Sequence, residues 1–490
     1  MTVSRPVFAL RPVSVVAALV AIVLTALSAR YGYHRDELYF LAAGDHLAWG
    51  YVDQPPLTPL FSRISTTLFG DTVMGLRVVA TLAAVATVYV MALISRELGG
   101  NARAQVLAGI AVAVSGQFLA VGHMVSTATF DLLAWLAIAL FALKVLRTGD
   151  GRWWIALGLT LGLALQNKYL VLLLVAALLI AQLVVGPRTV FRSRWLLAGA
   201  AVALLVAGPN LYWQAVNDWP QLTVASGISE DDGTENRIMF IPLQLAQLSP
   251  FLVPFWIAGF VHLARRPEFR AVAYAYPLLA VLVLAMGGKP YYALPLLLVL
   301  AAAGCEPVVR WAAQPVRRVV LAVGLALAAI SSAVITLPVL PASALDAITP
   351  INKEQAEQVG WPELADAVAA GWAQIPVDQR DRAVIFTQNY GEAGAIERFG
   401  PARGLPAPYS GHMSYADWGP PPDSATGPVL LVEYPEAERA LERFFTGCRR
   451  VGSVANSAGI ENGEAGAPIV LCAGPSELWS TLWPKVRRFY

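Results

Sequence analysis

A series of about eleven apolar stretches constrains the fold of this chain more than any other feature. A transmembrane helix needs about 20 apolar residues to cross roughly 30 Å of hydrocarbon. The stretches lie at about 13–29, 73–95, 104–122, 126–145, 153–166, 169–186, 195–213, 244–263, 270–286, 291–307 and 318–338. The run at 153–166 is short, and the run at 244–263 carries Pro250 and Pro254. The sequence therefore predicts a polytopic α-helical membrane protein.

The composition agrees with a membrane protein and excludes a nucleic-acid-binding one. Of the 490 residues, 57% are hydrophobic and 14% are charged, whereas a soluble domain is about 45–50% apolar and about 25% charged. The formal net charge of +2 offers no broad basic surface of the kind that nucleic acid requires. The first apolar run exceeds the length of about 7–15 residues that is typical of a signal peptide, and Leu27 stands where a small residue is expected, which favours an uncleaved helix.

Lysine and arginine collect in every second connection between the apolar runs, and this alternation predicts the orientation in the membrane. Cytoplasmic loops carry the excess of basic residues, so we expect a cytoplasmic N-terminus. An odd number of spans then places the C-terminal tail outside the plasma membrane. The basic connections contain Arg96 and Arg103; Lys144, Arg147 and Arg152; Arg188, Arg192 and Arg194; Arg265, Arg266 and Arg270; and Arg310, Arg317 and Arg318.

The last third of the chain is polar and is predicted to fold as a small α/β domain. We therefore expect a transmembrane domain at 1–340, whose first outer loop spans 31–72, and an extracytoplasmic domain at 341–490. Cys448 and Cys472 lie in this second domain and either form a disulfide, as is common outside the cell, or remain unpaired. Strands are predicted at 383–388, 428–434 and 468–473, and amphipathic helices at 361–375, 436–445 and 476–486.

The segment from Tyr31 to Leu60 concentrates ionisable side chains directly after the first apolar run. A charge beside a bilayer is costly unless it is paired or solvated, which makes Asp36 and Glu37 candidates for function. Helical spacing places Asp36 beside Tyr39 and Phe40, and Glu37 on a different face. The alternative is a solvated helix start whose acids offset a neighbouring cation. The ionisable residues of this segment include His34, Arg35, Asp36, Glu37, Asp45, His46 and Asp53.

A rigid turn with the sequence GYVDQPPLTPL follows at 50–60. Proline breaks a helix and pushes the residue before it into extended geometry. Pro55 and Pro56 would therefore hold Asp53 and Gln54 in fixed positions. The turn either shapes a substrate site or is a plain loop.

Three cations at the predicted outer ends of spans could bind an anionic headgroup. They are Lys168 in LQNKYL, Arg237 in ENRIMF and Lys289 in GGKPYYALPL, where Tyr291 and Tyr292 follow. Fixed cations suit a phosphate group, but basic and tyrosine side chains are also common as anchors at membrane interfaces. Both interpretations stay open at this point.

The sequence offers no motif for zinc binding, nucleotide binding or serine hydrolysis. Its five histidines lack H-x-x-x-H spacing and a neighbouring cysteine cluster, so a zinc site has no support. The P-loop, dinucleotide-binding and G-x-S-x-G patterns are also absent from the sequence. We therefore expect no cofactor and no metal. The alternative is a divalent cation held by Asp36 and other carboxylates, which leaves no signature in a sequence.

Four segments together resemble the family-39 glycosyltransferases, which are GT-C enzymes that include protein O-mannosyltransferases and lipid A aminoarabinose transferases. The segments are HRDELYF, AWGYVDQPPLTPL, LQNKY and GGKPYYALPLL. The resemblance covers about residues 12–340. The C-terminal segments FTQNYGEAGAIERFG, YSGH and DWGPPPD are similar to tails of bacterial members, especially actinobacterial ones.

The resemblance implies transfer of a sugar from a polyprenyl-phosphate carrier to a lipid, glycan or protein acceptor on the outer membrane face. It identifies Asp36 as the carboxylate that accepts or orients the acceptor proton during inverting attack, with Glu37 as its acidic neighbour. Relatives often carry lysine before the proline pair, where it meets the carrier phosphate, whereas Gln54 stands here. The candidate substrate-binding residues are His34, Arg35, Tyr39, Asp53, Gln54, Lys168, Arg237, Lys289, Tyr291 and Tyr292.

Two other functions are compatible with a polytopic helical chain. A transporter or lipid flippase would be expected to show internal repeats or paired broken helices, and the sequence shows no repeat. Its strong ionisable groups lie at span ends, with Asp131 as the main exception. A membrane scaffold with an outer binding domain would keep its function when Asp36 is replaced, which distinguishes it from an enzyme.

Overall fold

The structure, a computed structural model, describes residues 6–435 and 441–489, and most of them are helical. The helices are α1 (Leu10–Leu27), α2 (Arg35–Asp45), α3 (Leu57–Phe69), α4 (Val73–Glu97), α5 (Ala102–Ala113), α6 (Gly116–His123), α7 (Thr127–Thr148), α8 (Trp153–Leu165), α9 (Val171–Val184), α10 (Arg194–Val216), α11 (Pro220–Asp231), α12 (Gly233–Ala246), α13 (Val253–Ala264), α14 (Arg270–Ala285), α15 (Leu294–Trp311), α16 (Pro315–Thr336), α17 (Trp361–Trp372), α18 (Tyr390–Phe399) and α19 (Trp479–Val486). The strands are β1 (Val384–Thr387), β2 (Tyr409–Ser410), β3 (Val429–Val432), β4 (Phe445–Thr446), β5 (Arg449–Ser453), β6 (Pro468–Cys472) and β7 (Gly474–Pro475).

The chain divides into two compact units, and neither unit is continuous in sequence. The first, which we call the membrane unit, contains residues 1–28, 54–58 and 68–337. The second, which we call the polar unit, contains residues 29–53, 59–67 and 338–490. Most of the first loop thus packs with the C-terminal part of the chain, although the sequence analysis grouped that loop with the transmembrane domain.

Within the described residues, six helices are long and apolar enough to cross a membrane: α1, α4, α7, α10, the stretch Pro290–Trp311 that includes α15, and α16. Two bent pairs, α5 with α6 and α12 with Pro250–Ala264, are bent by 64° and 66° and raise the number to eight if each is one span. The predicted polytopic helical fold is confirmed, but the predicted number of about eleven full spans is too high by this criterion.

The three remaining predicted spans are the shorter apolar helices α8, α9 and α14. The helix α8 has 13 residues, and a rise of 1.5 Å per residue gives it a length of about 20 Å. This length is less than the roughly 30 Å of a hydrocarbon core. Hydropathy alone found these segments, but it could not tell where the helical backbone stops within each apolar run.

Glycine allows two pairs of helices in the membrane unit to approach closely. A β-carbon on Gly259 of α13 would collide with the backbone oxygen of Leu300, and one on Gly304 of α15 would collide with that of Phe255. The same arrangement joins α8 and α10 through Gly158 and Gly199. Small residues at membrane helix interfaces permit this backbone contact. The resulting van der Waals packing stabilises helix association in lipid, where the hydrophobic effect does not drive it.

The polar unit is built on a mixed five-stranded sheet in the order β2-β1-β3-β6-β5. β1 pairs in parallel with β2 and β3, and β6 pairs antiparallel with β3 and β5. One face of the sheet packs against α19, where Trp479 and Trp483 contact Phe386 in a buried apolar cluster. A disulfide joins Cys448 to Cys472, so of the two alternatives left open by the sequence the structure contains the bonded one.

The three strands and two of the three helices predicted for the polar unit are confirmed as β1, β3, β6, α17 and α19. The third helix, predicted at 436–445, lies partly at 436–440, outside the described residues. Its remainder forms a short 3-10 turn at Glu442–Phe444, and Phe445 already belongs to β4. The sequence analysis missed β2, β4, β5 and β7, of which three have only two residues.

Candidate functional site

Asp36 lies in the first turn of α2, which begins in a fixed way because two side chains cap it. The imidazole Nδ1 of His34 accepts a hydrogen bond from the backbone N–H of Asp36 at 3.1 Å. The carboxylate of Glu37 accepts one from the backbone N–H of His34 at 2.8 Å. This reciprocal arrangement satisfies N–H groups that a helix start otherwise leaves unpaired. Glu37 is fully buried and therefore stabilises the helix start that carries Asp36.

The Asp36 carboxylate is held by one strong hydrogen bond and is still accessible. The phenol of Tyr390, at the start of α18, donates a hydrogen bond to Asp36 Oδ1 at 2.8 Å. Arg35 Nε lies 3.7 Å from the same oxygen. The side chain of Asp36 is 34% exposed, so a substrate can reach it. An ionised carboxylate in such a position can accept a proton or a hydrogen bond from a bound hydroxyl group.

Arg35 connects Asp36 to a second acid in the same unit. Its guanidinium Cζ lies 5.5 Å from the ring centre of Tyr390, and Nη1 lies 3.7 Å from Glu357 Oε2. Arg35 is 29% exposed and Glu357 is 11% exposed. The cation is therefore shared between the exposed acid Asp36 and the mostly buried acid Glu357, which fixes its position beside the candidate site.

His34 is buried and interacts with a carboxylate through its other ring nitrogen. Nε2 lies 3.1 Å from Glu354 Oε2. Burial acts to lower the pKa of His34, but the hydrogen bond to Glu354 and the charge of Asp36 outweigh burial and raise the pKa above its usual value. His34 thus orients α2 through Nδ1 and binds Glu354 through Nε2, so it supports the site.

A hydrogen bond joins Tyr39, in the helix α2 that carries Asp36, to Asp53, in the segment that follows this helix. The Tyr39 phenol donates a hydrogen bond to Asp53 Oδ1 at 2.6 Å and accepts one from the backbone N–H of Ser414 at 3.4 Å. Burial, followed by the charge of Asp53, raises the pKa of Tyr39 well above its usual value. Tyr39 therefore stays protonated and acts as a donor to Asp53.

Glu464 is a buried acid that interacts electrostatically with Glu357 and Arg35. It is 4% exposed, and neither carboxylate oxygen has a hydrogen-bond partner among the described residues. Burial first, and then the charge of Glu357, raise its pKa to about 8. The folded state therefore favours the neutral carboxyl group, and ionisation of Glu464 above this pKa opposes folding.

Replacing Glu464 with glutamine is expected to stabilise the protein relative to wild type increasingly as the pH rises, because glutamine has no carboxyl group to ionise. In the wild type, the contribution of this raised pKa to the free energy of unfolding is fully present below the ordinary pKa of a glutamate, about 4.3. The contribution falls as the pH rises above that value and is lost once the pH has risen through about 8. Thermal unfolding of wild type and Glu464→Gln at pH 5 and pH 9 measures this. The variant should gain stability relative to wild type at pH 9, and an equal difference at both values would contradict the assignment.

In the membrane unit, the Pro-Pro turn docks on the LQNKY segment at the end of α8. The backbone N–H of Leu57 donates to the oxygen of Gln166 at 2.9 Å, and Thr58 Oγ1 donates to Asn167 Oδ1 at 2.8 Å. Gln54 is 1% exposed, and neither of its amide atoms has a hydrogen-bond partner among the described residues. The Pro-Pro turn and the LQNKY segment, which the sequence analysis treated separately, are thus hydrogen-bonded to each other.

Lys168 lies beside two of the predicted tyrosines, which are in contact with each other. Its Nζ is 5.2 Å from the ring centre of Tyr292 and 5.7 Å from that of Tyr291, distances typical of cation–π contacts. The two rings are 4.8 Å apart and nearly perpendicular. Lys289 stands two residues before Tyr291, directly before the 3-10 turn Pro290–Ala293, and is half-buried. Three of the predicted residues, Lys168, Tyr291 and Tyr292, are therefore in contact.

Arg237 binds backbone oxygens at the end of α14. Its Nε donates to the oxygen of Leu284 at 3.1 Å, and one terminal nitrogen donates to that of Ala285 at 3.3 Å. A cation at a helix C-terminus satisfies unpaired carbonyl groups and complements the helix dipole. Arg237 thus supports the segment that leads to Lys289, and its exposed guanidinium has only part of its donors left for a ligand.

Several members of the candidate site were not found by sequence reasoning. Tyr390, Glu357 and Glu464 lie more than 300 positions after Asp36 in the chain, and no spacing rule links them. The one signal was the segment FTQNYGEAGAIERFG, which contains Tyr390 and which the sequence analysis noted as similar to tails of bacterial family members. Within the described ranges, no group of three or more His, Cys, Asp or Glu residues is arranged to hold a metal ion.

Sequence comparison gives a partial match to a known family. The family model described as dolichyl-phosphate-mannose-protein mannosyltransferase matches residues 53–213, which is about a third of the chain. No curated protein sequence matches the chain significantly.

Solved structures resemble the chain over most of its length. ArnT from Cupriavidus metallidurans in the apo state has a TM-score of 0.62 and 15% identity, covering 94% of this chain and 99% of that one. The same protein bound to undecaprenyl phosphate has a TM-score of 0.60 and 17% identity, with the same coverage. Archaeal oligosaccharyltransferase AglB from Archaeoglobus fulgidus, in complex with an inhibitory peptide and a dolichol-phosphate, has a TM-score of 0.50 and 13% identity, covering 96% and 77%.

At such low identities these likenesses concern the fold. They extend over both the helical and the sheet-containing parts of the chain. The fold implied by the family-39 resemblance is therefore confirmed, because the chain has the fold seen in the ArnT structures.

Proposed function

We propose that the protein is a membrane glycosyltransferase that moves a sugar from a polyprenyl-phosphate donor to a lipid, glycan or protein acceptor. The observation that carries the proposal is the Asp36 carboxylate. It lies at a capped helix start, is about one-third exposed, and has one oxygen anchored by Tyr390. The fold shared with ArnT and AglB supports the proposal, since the solved structures of those proteins contain undecaprenyl phosphate and dolichol-phosphate.

In the proposed reaction, Asp36 orients the acceptor and receives its proton. The acceptor oxygen forms a bond to the anomeric carbon of the sugar while the bond from that carbon to the phosphate oxygen breaks. The electron pair of the broken bond stays with the carrier phosphate, and the acceptor proton passes to the carboxylate. Attack opposite to the leaving phosphate inverts the anomeric configuration. General-base help of this kind typically contributes about 10²–10⁴ in rate.

The cationic residues of the membrane unit are proposed to bind the carrier phosphate. Lys168, fixed beside Tyr291 and Tyr292, and the neighbouring Lys289 offer charge that would stabilise the developing phosphate anion. The buried amide of Gln54 could donate a hydrogen bond without charge. Because the leaving group already carries phosphate, we propose that the reaction needs neither a nucleotide nor a metal ion.

The basic connections between the apolar runs support a cytoplasmic N-terminus and an extracytoplasmic C-terminal tail. The disulfide between Cys448 and Cys472 agrees with an oxidising compartment for the polar unit. The four motifs quoted above support membership of family 39, and the C-terminal segments FTQNYGEAGAIERFG, YSGH and DWGPPPD support a bacterial, actinobacterial origin.

The proposed function is tested by incubating the purified protein with a panel of polyprenyl-phosphate sugars and candidate acceptors. We expect one lipid donor to be consumed, with appearance of polyprenyl phosphate and an inverted glycoside. The reaction should proceed in the presence of EDTA. Failure to consume any donor, under conditions in which the protein stays folded, would contradict the proposal.

Replacing Lys289 with alanine is expected to weaken donor binding more than turnover. A charge-assisted hydrogen bond contributes about 1.5–3 kcal/mol, so the apparent KM for the lipid donor should rise about tenfold or more. Kinetics at varied donor concentration measure this change. Lys144→Ala is the control, because Lys144 stacks on Trp153 in a predicted cytoplasmic connection. An unchanged donor KM in Lys289→Ala would remove Lys289 from the phosphate site.

A further inference from the structure

We propose that the C-terminal part of the chain takes part in catalysis by supplying a positioning residue, Tyr390, to the carboxylate of Asp36. This inference rests on the proposed function and extends it, because it gives the C-terminal α/β region a part in orienting Asp36. The contact joins residues 354 positions apart in sequence at 2.8 Å. Both residues belong to the polar unit.

The backbone of α18 lies directly against α2, and two glycines make this approach possible. A β-carbon on Gly394 would lie 2.9 Å from atoms of Leu38, which real side chains do not tolerate. A β-carbon on Gly391 would collide with the side chain of Arg35. The two glycines, three residues apart, therefore form a face of α18 without side chains, against which the first turns of α2 pack. The distance between Tyr390 and Asp36 is fixed by backbone packing as well as by the hydrogen bond.

The position of α18 is itself fixed by local structure. Asn389 caps its start by accepting a hydrogen bond from the backbone N–H of Glu392 at 2.9 Å. The buried carboxylate of Glu392 accepts hydrogen bonds from the backbone N–H groups of Gln388 and Asn389 at 2.9 and 3.0 Å. Because β1 ends at Thr387, this cap connects the sheet directly to Tyr390.

The ring of Tyr390 is packed among other rings, which restricts its rotation. Its centre lies 4.8 Å from that of Tyr39 and 5.2 Å from that of His412, with the His412 ring stacked. The guanidinium Cζ of Arg35 lies 5.5 Å from the centre of the same ring. Burial first, and then the charge of Asp36, raise the pKa of Tyr390 well above its usual value. The phenol therefore keeps its proton and donates it in the hydrogen bond.

This contact occupies one oxygen of Asp36 and leaves the other for a substrate. The hydrogen bond from Tyr390 is made to Oδ1, and within the described residues no side chain or backbone group bonds Oδ2. A carboxylate held at one oxygen cannot rotate freely, so Oδ2 points in one direction. Fixing a base in this way lowers the cost of reaching the reactive geometry.

The test is the Tyr390→Phe variant, which removes the hydroxyl and keeps the ring. We expect kcat to fall about ten- to a hundredfold, with little change in the KM for the lipid donor and in the unfolding temperature. Tyr409→Phe, in β2 of the same unit, is the matched control and should retain wild-type kcat. A purely structural role for Tyr390 would instead lower stability and reduce the amount of active enzyme while each folded molecule kept its rate.

A double-mutant cycle with Asp36→Asn separates this inference from the proposed function. If Tyr390 acts through Asp36, adding Tyr390→Phe to Asp36→Asn should cause no further loss of residual transfer, since the two effects are coupled. Full additivity, or a wild-type kcat in Tyr390→Phe, would overturn the inference while leaving a functional Asp36 intact. Loss of the proposed function itself would appear as absence of transfer by the wild-type protein.

Discussion

Asp36→Asn is expected to abolish sugar transfer while leaving the protein folded in the membrane. Asparagine keeps the shape of the side chain and can still accept the hydrogen bond from Tyr390, but it cannot take a proton from the acceptor. The loss should be about a hundredfold or more, the typical contribution of a general base. The measurement is single-turnover transfer from the donor identified in the panel, with enzyme in excess.

The matched control for this variant is Asp45→Asn at the other end of α2. Asp45 is exposed and forms an ion pair with Arg63, and surface pairs of this kind contribute little stability. Its replacement should leave transfer unchanged. Transfer at the wild-type rate by Asp36→Asn would rule out the proposed role of Asp36 and would show that another group accepts or orients the acceptor proton.

Gly304→Ile is expected to prevent correct packing of the membrane unit. A side chain at this position meets the backbone oxygen of Phe255 on α13, and a backbone atom cannot rotate out of the way. Overpacking of a close interface costs about 1–3 kcal/mol, and more where backbone must shift. We expect a large drop in the unfolding temperature in detergent, with loss of the monodisperse species in size-exclusion chromatography.

The control for the packing variant is Gly324→Ile in α16. A β-carbon on Gly324 meets no atom within 4 Å, so the same substitution adds apolar surface in open space. This variant should unfold at or above the wild-type temperature. Equal destabilisation by the two substitutions would show that isoleucine acts through something other than the contact between α13 and α15.

The helices and the main strands could be predicted because their signals are local. Long apolar runs marked the membrane helices, and VIFT, VLLV and PIVLC marked the central strands. The extent of each helix within its apolar run was less accessible, since bends such as the one before Pro250 depend on tertiary packing. Two-residue strands such as β2 and β7 were missed because pairing with neighbours, rather than propensity, defines them.

The candidate site was predicted in part. The density of charge after the first run identified Asp36, and the flanking His34, Arg35 and Tyr39 do lie around it. Glu37 was grouped with Asp36 as a catalytic acid, but the structure places its carboxylate in the helix cap. That role was hidden because the residue at the cap is histidine, whereas Ser, Thr, Asp or Asn usually marks such a position. Tyr390 could not be found, because contacts between distant segments leave no local pattern.

Residues 29–53 and 338–490 belong to the same compact unit. The polar unit can therefore fold only after its second, later-synthesised part has been made. The segment carrying Asp36 leaves the ribosome early, whereas its partner Tyr390 is made roughly 20–70 s later at typical rates of about 5–20 residues per second. During that interval every apolar helix between them must insert into the bilayer. The chain therefore acquires its arranged carboxylate only after α18 has been made, and chain termination between α16 and α18 leaves a protein that contains the helices α1 to α16 but no oriented Asp36.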